Sequence, residues 1–268
     1  MRGLMLLAIL LAITPLIWII IDVIKMGVGA IHGLSFFTKP AVDPTSPTGG
    51  IANGIIGTLI MVGLAALIAV PLGILGAIYL SEFSFGSRFS RTVRFFADVM
   101  TGVPSIVVGI FVFALLVLGH SFSAFSGAVA LAFIMWPIVL RTAEEVIRLV
   151  PHEIREASYA LGVPKWKTVL KVVLPTAAGG LVTGSMLAVA RVSGETAPLL
   201  FTALGNNFTT TRLSDRMSGL PQIIFNGATS AYDVAQKRAW AGALTLIVLI
   251  LLLTLGSRAL FARRARAV

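Results

Sequence analysis

Residues 99–140 read VMTGVPSIVVGIFVFALLVLGHSFSAFSGAVALAFIMWPIVL, a stretch bounded by Asp98 and Arg141 that contains no formally charged side chain. It is too long for one membrane span of about 20 residues. Gly119-His120-Ser121-Phe122-Ser123 interrupts its hydrophobicity, so the pattern predicts two transmembrane helices, about Val99–Leu118 and Ala124–Leu140, joined by a tight turn. A chain that carries such a stretch has lipid for its main solvent.

The whole sequence agrees. Of 268 residues, 57% are hydrophobic and 12% charged, about half the charge fraction of a soluble domain. Mean hydropathy is +0.97. One globular core cannot hide that much apolar surface from water. Further charge-free runs place a retained anchor helix at Gly3–Ile21 and a second span at about Gly54–Leu80; a fifth span, which is not charge-free, runs from about Thr176 to Phe201, and a sixth from Ala239 to about Phe261. Between the first two, Asp43-Pro44-Thr45-Ser46-Pro47-Thr48-Gly49-Gly50 reads as loop and turn. The expected fold is all-α and polytopic, with six transmembrane helices.

The net charge of +10 would suggest a polyanionic partner in a soluble protein. Here topology explains it. With the N-terminus inside, the inner segments hold 14 Lys and Arg and the outer loops 6, and Arg191 remains within a span. Both termini are therefore expected in the cytoplasm, and no nucleic-acid partner is needed. The basic tail at 263–268 reads as topology-setting charge near anionic lipid.

The inner segment from Arg141 to Pro175 is too long and too punctuated for a tether. Thr142 and Glu145 have the spacing of a capping box, Pro151 suits a first helical turn, His152–Leu161 is helical in composition and Gly162 is placed as its C-terminal cap. Pro164 opens a second short helix over Lys165–Leu174, which Pro175 is expected to end. A basic interfacial helix pair and a docking surface both fit this composition. Glu156-Ala157-Ser158, Gly162, Val172, Leu174 and Pro175 resemble, spacing for spacing, the E-A-A-x3-G-x9-I-x-L-P loop of type I ABC importer permeases, with Ser for the second Ala and Val for Ile. The resemblance implies that Glu156, Ala157, Ser158, Gly162 and Pro164 dock into a cleft on an ATPase subunit. No G-x-x-x-x-G-K-[ST] occurs in the chain, so the ATPase is a separate polypeptide.

Arg191 and Glu195 interrupt the fifth span, and their spacing of four places both on one face of a continuous helix. Gly194 and Pro198 argue for a bend or break there. An arginine at a span centre costs about 2.5–3.5 kcal/mol if it faces lipid. The pair is thus either a self-neutralising structural contact or, since a buried pair stabilises little, an anion route in which the guanidinium fork meets an oxyanion and Glu195 holds it when the site is empty. The string Arg191-Val192-Ser193-Gly194-Glu195-Thr196-Ala197-Pro198-Leu199 closely resembles the R-x-x-G-E-T-A-P-L signature of phosphate-specific ABC permeases. Gly49–Thr58 looks like the entry to the second span of the A-type (PstA-type) subunit, and Gly102–Gly109 is similar to the family's third span. The resemblance implies a multi-pass protein of the bacterial cytoplasmic membrane, paired with a homologous PstC-type permease, two PstB-type ATP-binding subunits and an external phosphate-binding protein. It places Arg191 and Glu195 on the phosphate route.

Ser105 and Thr196 are polar enough to contact an anion on that route, and equally suited to helix–helix contacts. The outer segment Ser218–Asn226 has the pattern of an amphipathic helix, suited to an external binding protein or to packing over the bundle. His32, His120 and His152 are scattered without metal-ligand spacing, and no cofactor is expected. The chain thus divides into an anchor helix and outer loop at 1–48, a permease domain at 49–262 containing the docking loop 141–175, and the tail. Permeation of molybdate, sulfate or phosphonate is an open alternative, since one Arg–Glu pair does not discriminate tetrahedral oxyanions. An ion-coupled secondary transporter lacks its expected inverted repeat here, and no clustered Ser/His, paired Asp or HExxH supports an intramembrane enzyme.

Overall fold

The computed structural model describes residues 1–84 and 86–265, and no named β-strand occurs among them. Of the basic tail, residues 266–268, including Arg266, lie outside the described residues. The long helices are α1 (Arg2–Ala30), α3 (Ala52–Ile78, prolonged by a wide π turn Tyr79–Phe83), α6 (Ala124–Arg148), α9 (Leu174–Val192) and α12 (Asp233–Ala265). Between them lie α2 (Ser35–Thr38), α4 (Arg88–Gly102), α5 (Ser105–Val112, prolonged to Val117), α7 (His152–Ala160), α8 (Lys165–Thr168), α10 (Ala197–Thr202) and α11 (Leu220–Ala228). Among the described residues five helices are long and apolar enough to cross a membrane, and the bent pair α4–α5 brings the number to six when counted as one span.

Lipid tails are as apolar as leucine, so helices in a membrane associate through close packing and not through hydrophobic expulsion. The sequence meets this with small residues. Ala65, Ala69, Ala128 and Ala132 let α3 and α6 approach closely around Met61, Leu131, Met135 and Val139. A β-carbon at Gly73 would stand 2.7 Å from Val139 Cγ1. On α9, Gly180 and Gly184 face Val146 and Thr142 of α6. The small-x3-small spacing of Gly180 and Gly184 therefore marks a helix–helix seam. Val23, Gly27 and Ala30 form the one buried stripe of α1, with Gly27 against Leu244 of α12. At one end Leu80, Ala97, Leu140, Ile147, Val150 and Val173 gather α3, α4, α6 and the 141–175 loop. At the other end Phe36, Ile51, Leu220, Ile223 and Ala241 close the bundle, so the expected amphipathic segment at 218–226 is a packed helix, α11.

Three boundaries differ from the sequence-based expectations. The third span does not run straight from Val99, because α4 turns into α5 through 105° at Gly102-Val103-Pro104, where the residue before a proline is driven out of helical conformation. No helix starts at Thr142. Its hydroxyl donates to Ile138 O at 2.8 Å, and α6 runs unbroken to Arg148, so the Thr142–Glu145 spacing is not a capping box. Pro175 does not end a helix. The π turn Val169–Val173 absorbs the missing N–H, and one helical run extends from Lys165 to Val192. The fifth span breaks after Val192, as Gly194 and Pro198 suggest, so its two charges do not share a helix.

Gly73→Val places two methyl groups against Val139 and is expected to lower stability by about 1–3 kcal/mol, the usual cost of overpacking a filled seam. Gly63→Ala meets nothing within 4 Å and is expected to be neutral. Thermal unfolding of the detergent-solubilised protein separates the two; equal melting of both variants would mean that the α3–α6 seam has room to spare.

Candidate functional site

Two helix breaks meet inside the bundle. The first is the α4–α5 corner. The second follows α9, where Ser193 Oγ donates to Val189 O at 2.7 Å, Gly194 N to Arg191 O at 3.2 Å and Glu195 N to Val192 O at 3.1 Å. Pro198 prevents the helix from continuing, because its ring would meet the carbonyl four residues earlier. Thr196 then precedes the short α10 without a side-chain capping bond. The breaks are pressed together through Gly109 of α5, where a β-carbon would stand 2.7 Å from Pro198 Cα.

Between them lies a cavity of about 250 Å³, lined by Met100–Ser105, Ile134, Ile138, Arg191 and Glu195. Three of the four residues expected on a solute route, Arg191, Glu195 and Ser105, line this one cavity, and Thr196 does not. Arg191 is exposed on the isolated chain and Glu195 is half-buried. Among the described residues neither makes an ion pair within 4 Å. The expected i, i+4 contact is missing because α9 stops one residue after Arg191 and the turn carries Glu195 away. The cavity therefore offers a guanidinium without an ion pair, the Ser105 hydroxyl and the Glu195 carboxylate. Its chemistry suits a small anion. No group of three or more metal-binding side chains occurs among the described residues.

Beyond the end of α6, the remainder of the 141–175 segment forms a compact knob built from α7 and α8. Gly162 adopts φ +75°, and Gly162 N and Val163 N return to Tyr159 O and Ser158 O at 2.9 and 3.2 Å, the glycine stop that the sequence predicts for α7. Glu156, Ala157, Gly162 and Pro164 lie on its exposed surface, together with Tyr159, Leu161 and Trp166. Leu161 is 83% exposed, which marks a contact surface when apolar neighbours share it. Ser158 points the other way. Its hydroxyl bonds Thr168 Oγ1 at 2.8 Å and joins α7 to α8, so the serine at this position fastens the knob and is not part of its surface.

The neighbouring Arg155 carries a role that sequence reasoning assigned to topology alone. It is 8% exposed and donates from Nη2 to Glu82 Oε1 at 2.9 Å and to Ile147 O at 2.9 Å, with Nη1 bonded to the Val150 carbonyl. α7 is thereby fixed to the ends of both α3 and α6. No local spacing announces the pair, since Glu82 lies 73 residues away.

Residues 69–266 match the family described as binding-protein-dependent transport system inner membrane component. The chain is 47% identical over 86% of its length to the phosphate transport system permease protein PstA of Xylella fastidiosa strain 9a5c, covering 81% of that protein. It is 41% identical over 93% of its length to PstA of Yersinia pestis, covering 84% of it. Among solved structures, a chain of a bacterial alginate ABC transporter in complex with an alginate-bound periplasmic protein aligns with TM-score 0.69 at 14% identity, over 98% of this chain and 96% of that one. A chain of the inward-facing MetNI methionine ABC transporter aligns with TM-score 0.63 at 22% identity, over 81% and 94%. These structural likenesses establish the fold.

Arg155→Met strands a buried carboxylate and is expected to cost about 3–5 kcal/mol. The double variant Glu82→Gln/Arg155→Met is expected to recover most of that loss. Thermal unfolding of the purified protein measures both, and a single variant as stable as wild type would show the pair to be energetically idle.

Proposed function

The chain belongs to the family of binding-protein-dependent transport system inner membrane components, and on that footing we propose that it is a membrane-spanning permease subunit of an ATP-binding-cassette importer that carries inorganic phosphate. The observation that carries the reading is the unpaired Arg191 on a cavity between two helix breaks, in a chain 47% identical to a phosphate permease. A planar guanidinium receives two oxygens of a tetrahedral oxyanion side by side. The Ser105 hydroxyl adds a neutral donor. Glu195 on the same cavity limits affinity by repulsion, which favours passage over retention. Thr196, beside Glu195, is the remaining hydroxyl assigned to the route.

The exposure of Arg191 supports a partner. A guanidinium facing lipid at mid-span costs about 2.5–3.5 kcal/mol, whereas a second, homologous permease subunit would cover that face and complete the route. The exposed surface around Glu156, Ala157, Gly162 and Leu161 is assigned to docking on one of two ATP-binding subunits, with Ser158 and Pro164 shaping it. An external phosphate-binding protein is assigned to the opposite end, where the 207–216 loop is largely exposed. The 14-to-6 distribution of Lys and Arg supports cytoplasmic termini in a bacterial inner membrane. The permease domain is placed at 49–262, following the anchor helix and loop at 1–48.

Closure of the ATPase subunits would displace the knob, and the helices holding the two breaks would expose the cavity first to one side and then to the other. Arg191→Ala and Glu195→Ala are each expected to reduce ATP-dependent uptake of labelled phosphate at least about tenfold in vesicles holding the whole complex, with normal subunit assembly. Wild-type uptake in both variants would remove the cavity from the route, and preferential uptake of molybdate or sulfate by the wild type would reassign the substrate. Gly162→Glu, which forces a side chain onto φ +75°, is expected to reduce co-purification of the ATPase subunits. Unchanged stoichiometry would count against docking at the knob.

A further inference from the structure

Near the knob end of α6, Glu144 is 1% exposed and surrounded by cations. Arg94 Nε donates to its Oε1 at 2.7 Å, Arg148 Nη2 to the same oxygen at 2.6 Å, and Arg141 Nη1 to Oε2 at 3.0 Å. Arg141 also pairs through Nε with Asp98 Oδ1 at 2.8 Å, and Arg94 Nη2 reaches Leu80 O at the end of α3 at 3.0 Å. Arg94 and Asp98 are one turn apart on α4, and Glu144 and Arg141 one turn apart on α6, so two charged rungs join the helices side by side.

We infer that Glu144 is a positioning residue whose rungs to α4 transmit movement of the docking knob to the wall of the anion cavity. The inference rests on the importer reading above. Three observations carry it. First, α4 has little apolar anchorage, with only Ser90 and Ala97 buried in its length, so the rungs decide where it sits. Second, the far end of α4, Met100–Gly102, is itself the cavity wall facing Arg191 and Glu195. Third, α6 passes into the knob just beyond Glu144, and Arg155 grips Ile147 O and Val150 O there. Apolar helix contacts slide, whereas short charge-assisted bonds fix distance and direction. Stability alone gives no reason for them, because apolar replacement of a buried ion cluster is often neutral or better. A displacement of α7 therefore reaches α6, then α4, then the cavity.

The test uses the complete complex with its binding protein in proteoliposomes, where phosphate import and ATP hydrolysis are measured together. Glu144→Gln keeps the side chain's shape and removes the charge. It is expected to lower phosphate imported per ATP by about tenfold, within the range for residues on a coupling route, while subunit stoichiometry holds. Glu144→Asp is expected to restore part of that ratio, which a purely structural role would not predict. Asp98→Asn alters a half-exposed residue and removes one rung only, so it reports even if Glu144→Gln fails to assemble; its expected loss is about threefold. Import and hydrolysis falling in parallel, or an unchanged ratio in Asp98→Asn, would overturn the strut. A wild-type complex that hydrolyses ATP without importing phosphate would instead overturn the importer reading, and the strut with it.

Discussion

Inside a bilayer every backbone N–H and C=O must find its partner within the protein, so a helix can be broken only where the freed groups face a cavity or another chain. This chain breaks two of its apolar segments, at 102–104 and at 193–196, and brings both to one place. The rest of the architecture serves that arrangement. The alanine-lined seam between α3 and α6 supplies a rigid wall, Gly109 lets α5 approach α10, and the corner at Pro104 brings the end of α4 onto the cavity.

Charge placement follows the same physics in three ways. Most Lys and Arg lie in segments beyond the span centres, where they set topology. Glu82 with Arg155, and Glu144 with Arg94, Arg141 and Arg148, are buried but answered by opposite charge and by carbonyls. Arg191, within the fifth span, faces a cavity in place of a counter-ion. The second group holds elements together, and Arg191 lines a cavity without an ion pair.

The two buried clusters lie at the same end as the knob and join it to three different helices. Arg155 reaches the ends of α3 and α6, and Glu144 reaches α4. A knob held by directional bonds moves as a body with the helix ends, so its position and that of the cavity wall are mechanically linked. Ser158 shows the economy of this design, since a side chain that departs from the E-A-A pattern is the one that locks α7 to α8.

Much of this was legible in the sequence, because it depends on local pattern. Charge-free runs gave the spans, the spacing of Glu156, Gly162 and Pro175 gave the knob, and Arg191 stood out as a cation within an apolar run. Gly194 and Pro198 announced a break through their own backbone preferences. Tertiary structure decided what depends on which helices approach each other. The α4–α5 corner redirects a segment that reads as a straight span, Pro175 is absorbed by a π turn, and Arg191 and Glu195 share a cavity without touching. Glu82 meets Arg155 across 73 residues, and Glu144 meets Arg94 across 50. Local sequence determined where charge and helix breaks occur, and only packing decided what each charge faces, because counter-ions are chosen by distance in space and not along the chain.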